Sequence, residues 1–209
     1  THSSHIAIET TFGNLRYFKR LPEGTECAVA TSKVINLSDV FGDSDQTNKF
    51  VTRYLQSTHC DLFFADAAIL VEGVAESMLL PHFIRSKFPE LYQRYITILA
   101  VNGRHAHRLS PLIEKLCLPT LVITDLDPAE KEGYHKSVVP KRGEGQISGN
   151  YAIAKWLMKE KDIDKLVDYS EDKKEFSFAS PYRFSIRLAY QTPVKVDFEG
   201  EEKEAIPGT

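Results

Sequence analysis

Two pairs of acidic residues have the spacing that shared cation chemistry requires. Glu72 and Glu76 stand one helical turn apart, directly after the apolar run Ala67–Val71. Asp125 and Asp127 bracket Leu126 after a second apolar run, residues 120–124. Residues two apart in an extended chain point the same way, so both aspartates can face one crevice. If the two runs are neighbouring strands, four carboxylates converge, and crowded like charges hold cations or keep protons. An all-oxygen donor set suits Mg²⁺ or Mn²⁺ rather than zinc. Two such ions about 3.5–4 Å apart clamp the attacking and leaving oxygens of a phosphodiester. A plainer reading makes acids at strand ends helix caps or solvated loop charges. That reading weighs more on the Asp-x-Asp pair than on Glu72, where an apolar run, Gly73 and a second acid coincide.

Other chemistries find less support. Arg104, His105, His107 and Arg108 cluster after the apolar run at residues 95–101, and from Arg85 to Arg108 five basic residues meet one acid, Glu90. Arg104 and Arg108 are candidates for a phosphate-facing rim beside the acids, whereas Arg85 and Lys87 read as a solvated helix face. Lys141 and Arg142, in a Gly-rich stretch, are candidate contacts to a substrate backbone. His59 and Cys60 have no second pair at metal-ligand spacing. The chain has no phosphate-binding GxxxxGK[ST] and no GxSxG nucleophile motif.

These residues need elements to position them. The 209 residues are 42% hydrophobic and 26% charged, a balance that excludes a disordered chain and suffices for a substantial α/β core. No apolar run approaches a membrane span. Cys27, Cys60 and Cys117 lie far apart and read as thiols of a reducing compartment, the cytoplasm. A net charge of −3 argues against sequence-blind adhesion to nucleic acid, but not against a local grip through metal ions. Residues 67–71, 95–101 and 120–124 read as apolar strands. Between them residues 76–88 are helical, with Leu79, Leu80, Phe83 and Ile84 on one side, as are residues 110–116, with Ser110 as N-cap and Pro111 first in the helix. Apolar strands alternating with helices predict a parallel sheet covered on both faces, with ligands at the carboxyl ends of its strands. Residues 12–36 read as short strands and turns, and 48–56 as a helix. Residues 131–149 read as a mobile loop, 151–158 and 163–169 as helices anchored by Trp156 and Leu157. Residues 176–196 suit one or two strands, and 198–209 a frayed acidic tail.

FFADAAILVEGVAE (63–76), VNG (101–103) and LPTLVITDLD (118–127) together resemble the TOPRIM domain, most closely that of OLD-family (overcoming lysogenization defect) ATP-dependent endonucleases. THCDLFFAD (58–66), SGNYAIAKWL (148–157) and LAYQTPV (188–194) extend the resemblance over most of the chain. It implies an α/β, Rossmann-like TOPRIM fold, a mainly parallel sheet flanked by helices, with a helical addition. The division expected is a strand–turn segment at 1–57 following an absent ATPase, a TOPRIM core at 58–137, a loop and helical addition at 138–180, returning strands at 181–196 and the acidic tail at 197–209. The activity implied is metal-dependent DNA cleavage or nicking, in defence against phage. Glu72, Glu76, Asp125 and Asp127 are then the catalytic and metal-binding acids, around one or two Mg²⁺ or Mn²⁺ ions. Gly73 and Gly103 match glycines at tight turns, and Thr124 supports metal or substrate.

The opening THSSHIA (1–7) resembles the switch-histidine segment that closes an ABC-type ATPase domain, and the resemblance implies a C-terminal nuclease part. Implied partners are DNA and the ATPase domain of the same full-length protein, with no membrane; ATP enters only through that domain, and a homodimer stays open. The family's late active-site lysine falls beyond this chain. Val74-Ala75 replaces a more polar pair, and Asp127-Pro128-Ala129 departs from the DxDxxG and DxDxD patterns of topoisomerases and primases. Two rivals stand. One is a non-catalytic TOPRIM-like scaffold that binds DNA or a partner. The other is a haloacid-dehalogenase-type phosphatase, suggested by VITDLD, although Ala129 stands where that motif has Thr or Val.

Overall fold

The computed structural model of the protein describes residues 14–21, 23, 28–38, 40, 60–101, 105–131, 137–157, 160–179, 182–198 and 201–207. Arg16–Leu21 (β1) and Thr31–Asn36 (β2) pair as an antiparallel hairpin; exposure alternates along β1 but not along β2. Then come Ala67–Val71 (β3), Val74–Lys87 (α1), Pro89–Tyr92 (α2), Ile96–Ala100 (β4), Ala106–Leu116 (α3) and Thr120–Ile123 (β5). Two short strands, Pro128–Ala129 (β6) and Ile147–Ser148 (β7), pair with each other before Tyr151–Trp156 (α4) and Ile163–Val167 (α5). Glu175–Phe178 (β8), Phe184–Ala189 (β9), Val194–Phe198 (β10) and Glu201–Ala205 (β11) complete the order.

The central sheet has the order β4-β3-β5-β9-β8, parallel except for β8 at the edge. β3 is apolar throughout because it is buried on both faces. Ala68, Leu70, Leu99, Val122, Ile186 and Leu188 join one core with residues of α3, α4 and α5. Ile69 and Val71 join a thinner one under α1, around Ile84. β3 lies between β4 and β5, so the connection to β4 leaves on one side and the chain returns on the other. Such a switch opens a crevice beyond the carboxyl ends of the strands. The register aligns Leu70 with Val122, which carries Glu72 to the level of Thr124.

Several local expectations change. The helix expected to start at Ser110 begins four residues earlier, and Pro111 lies inside it. Ala106 and Leu109 extend the buried stripe of Leu112, Ile113 and Leu116, so tertiary burial outweighs the proline rule; Ser110 Oγ donates to Glu114 instead of capping. On α1 Ile84 is buried, while Leu79 and Phe83 are exposed, contrary to the expected apolar side. The loop after Asp127 is partly knitted: Gln146 accepts from Lys141 N (2.8 Å) and donates to Val139 O (3.0 Å). β8 belongs to the sheet rather than to the helical addition at 138–180. In place of fraying at 201–205, β11 pairs with β10 from Ala205 opposite Val194 to Glu201 opposite Phe198.

Trp156 and Leu157 are buried. Cys60 and Cys117 are buried, and no disulfide joins them among the described residues. Among the described residues no helix is long and apolar enough to cross a membrane. The expected helix at 48–56, with Cys27, Gly103 and Arg104, lies outside the described residues.

Lys19 Nζ ties the hairpin to the end of α3 by donating to the carbonyls of Leu116 and Cys117 at 2.6 and 2.8 Å, a cation on a helix C-terminus. Buried Tyr190 donates its hydroxyl to Leu166 O at 2.8 Å, joining the end of β9 to α5. Tyr190→Phe should therefore cost about 0.5–1.5 kcal/mol in urea denaturation, the net worth of one hydrogen bond, since Leu166 O keeps Tyr169 N as a donor at 3.2 Å.

Candidate functional site

Glu72 follows the last residue of β3, and its Oε1 accepts three donors from other parts of the chain. They are Thr124 Oγ1 at 2.5 Å, Asp125 N at 2.9 Å and Asn150 Nδ2 at 3.3 Å. The parallel register of β3 and β5 makes the first two contacts possible; the third reaches in from the start of α4. Glu76 sits in the first turn of α1, and its Oε2 accepts from Gly73 N at 3.1 Å, half of a capping box. A Cβ on Gly73 would lie 3.0 Å from that oxygen, so glycine leaves room for the acid to fold back.

Asp125 Oδ1 accepts from Gln191 Nε2 at 2.6 Å, and the same Gln191 accepts through Oε1 from Leu126 N at 2.7 Å. Asp127 has φ 46°, in the left-handed region that Asp tolerates better than most residues. Its carbonyl accepts from Gly149 N at 2.8 Å, an approach so close that a Cβ on Gly149 would lie 3.3 Å from that oxygen.

Buried Asn150 joins these parts. Its Oδ1 caps α4 by accepting from Ala152 N and Ile153 N at 2.8 and 3.2 Å, which forces Nδ2 toward the acids. There the amide's hydrogens are shared among Thr124 Oγ1 (2.8 Å), Asp125 O (2.9 Å), Asp127 Oδ2 (3.2 Å) and Glu72 Oε1.

Burial, then the charges of Glu72 and Asp127, push Asp125 above the ordinary carboxylate range; the Gln191 bond opposes this, and Glu76 adds a smaller push. The charges acting on Asp125 are all negative, so the four acids form one electrostatic unit. Glu72, Glu76 and Asp125 share a pattern. One oxygen is tied to the protein, while Glu72 Oε2, Glu76 Oε1 and Asp125 Oδ2 accept from no group among the described residues. Hard, negatively charged oxygens at the mouth of a crevice are the donor chemistry that Mg²⁺ or Mn²⁺ takes. Their present rotamers are open: among the described residues, no group of three or more His, Cys, Asp or Glu side chains is disposed to hold an ion. A cation shared by these acids would therefore require their carboxylates to move.

Lys141 pairs with Glu144 (3.3 Å) and Arg142 with Asp168 (2.7 Å), both on the surface. Arg108 lies in the first turn of α3. Neither Asn150 nor Gln191 stood out in the sequence as a site residue, although both lie in the segments 148–157 and 188–194 that carry the family resemblance. The available signals were an Asn immediately before an apolar helix and an amide just past a strand parallel to the one bearing Asp-x-Asp.

Residues 63–127 match the family model described as overcoming lysogenization defect protein-like, TOPRIM domain. Over 98% of its length the chain is 31% identical to the endonuclease GajA of Bacillus cereus (strain HuB5-5). It spans 29% of that relative's length. The matched segment runs from the turn before β3 to Asp127, and so contains the crevice and all four acids. Residues 63–127 of this chain are an overcoming-lysogenization-defect-like TOPRIM domain.

Proposed function

We propose that the chain carries the nuclease centre of a divalent-cation-dependent DNA endonuclease or nickase. The observation that carries this reading is the set of carboxylate oxygens that accept from no donor among the described residues at the carboxyl edge of β3 and β5. The matched relative is named an endonuclease, which supports the same class. Glu72, Asp125 and Asp127 would hold one or two Mg²⁺ or Mn²⁺ ions, which when bound neutralise charge on the reacting phosphate and make water a better nucleophile.

The protein's own part is positioning. Thr124, Asn150 and the Asp125 backbone N–H fix Glu72, and Gln191 fixes Asp125. Glu76, on the first turn of α1, completes a second ion site or accepts the proton of the attacking water. DNA is the proposed substrate, with an ATPase portion of the same protein as partner.

A plasmid-nicking assay across Mg²⁺, Mn²⁺, Ca²⁺ and chelator tests the proposal. Nicked or linear product with Mg²⁺ or Mn²⁺, lost with chelator, is expected. An inert chain on supercoiled, linear and single-stranded DNA contradicts it. The open rotamers of the acids favour a second reading, a non-catalytic scaffold, which predicts DNA binding without cleavage under every cation.

A further inference from the structure

We propose that Gln191 is a positioning residue that sets which oxygen of Asp125 faces the shared crevice. This rests on the nuclease reading and adds to it a residue outside the four acids and outside residues 63–127.

Its two ends are assigned by their partners. Leu126 N–H can only donate, so Gln191 Oε1 lies against it at 2.7 Å, and Nε2 is left to donate to Asp125 Oδ1 at 2.6 Å. One side chain thus grips two successive residues of the Asp-x-Asp segment. The grip is anchored, because β9 runs parallel to β5 and Thr124 N continues the ladder by donating to Ala189 O at 2.9 Å. Between Ala189 and Gln191, Tyr190 is buried and bonded to Leu166 O. Gln191 therefore leaves a backbone that has little freedom to shift.

Asp125 depends on this grip in a way that Glu72 and Glu76 do not. Backbone N–H groups hold Glu72 and Glu76, at Asp125 N and Gly73 N respectively. The Asp125 carboxylate, by contrast, accepts from Gln191 alone among the described residues. With Gln191 bound to Oδ1, rotation about the carboxylate is blocked and Oδ2 is the oxygen offered to a cation. Side chains that orient ligands in this manner typically govern metal affinity by 10–100-fold.

The test compares the wild-type chain with Gln191→Met, which keeps the bulk, and Gln191→Ala. Calorimetric titration with Mn²⁺ should show roughly 10–100-fold weaker binding in both variants. The Mn²⁺ concentration giving half-maximal nicking should rise by a similar factor, with much of the rate recovered at saturation. A purely structural role would lower the melting temperature and leave Mn²⁺ affinity alone, so affinities within twofold of wild type overturn the proposal. Should the variants fail to fold, Mg²⁺ titration of the ¹⁵N-labelled wild-type chain decides. The Gln191 side-chain amide should shift together with the Asp125 backbone amide, and an unmoved Gln191 amide overturns the proposal. Wild-type protein that takes up neither ion overturns the nuclease reading itself, an outcome distinct from the loss of Gln191's role alone.

Discussion

Glu72→Gln and Asp125→Asn should each lower DNA cleavage by about 10³-fold or more, equivalent to roughly 4 kcal/mol of transition-state stabilisation. Both changes are nearly isosteric, so the loss reports charge and ligation rather than packing. Stability should move the other way for Asp125→Asn. Burial and the neighbouring Glu72 and Asp127 raise the native carboxyl above its ordinary range, so the folded chain holds this proton more tightly than the unfolded chain. The group's contribution to stability is therefore fully present below the ordinary carboxylate value and is lost as pH rises through the raised native one. Asparagine removes that loss and can still accept the Gln191 bond. Without divalent cations, Asp125→Asn should be more stable than wild type at pH 7. The gain should vanish as pH falls through the carboxylate range. Paired melting curves at pH 7 and pH 4, beside the nicking assay, check both signs; equal cleavage by wild type and variants would remove the acids from the mechanism.

Asn150→Ala should combine the next largest losses. The variant loses the cap on Ala152 N and Ile153 N, worth about 1 kcal/mol, and removes a buried donor from Glu72 and Asp127. The expected sum is about 2–3 kcal/mol in urea denaturation, with cleavage lowered about 10–100-fold. Asn150→Asp separates the two roles, since aspartate caps a helix as well as asparagine does but adds a fifth acid to the cluster. It should be less stable than wild type in chelator and recover most of the difference in millimolar Mg²⁺. No response to Mg²⁺ would mean that Asn150 serves only as a cap.

Much of this site could be read before any coordinates. The apolar runs at 67–71, 95–101 and 120–124 are uninterrupted because their strands are buried on both faces, and this fixed the parallel sheet and placed Glu72 and the Asp-x-Asp pair at strand ends. Local rules failed where tertiary burial outweighed them. Pro111 looked like a helix start, yet Ala106 and Leu109 gain burial by extending the helix across it. The acidic segment after Phe198 looked frayed, yet β10 offers it a strand to pair with. Asn150 and Gln191 were hidden for a different reason. Their amides acquire meaning only when Leu126 N, Ala152 N and Ile153 N fix which end faces the acids. Gln191 is oriented by a contact 65 residues away, and Asn150, whose cap is local, meets Asp127 only across 23 residues; no local pattern encodes either contact.

The most direct measurement is anomalous diffraction from crystals of the chain soaked in Mn²⁺. The account predicts a peak at the carboxyl edge of β3 and β5, within coordination distance of Glu72 and Asp125 oxygens, with Asp127 or Glu76 completing the set. A peak bound elsewhere, or ordered acids that keep their open rotamers with no peak between them at saturating Mn²⁺, would contradict it.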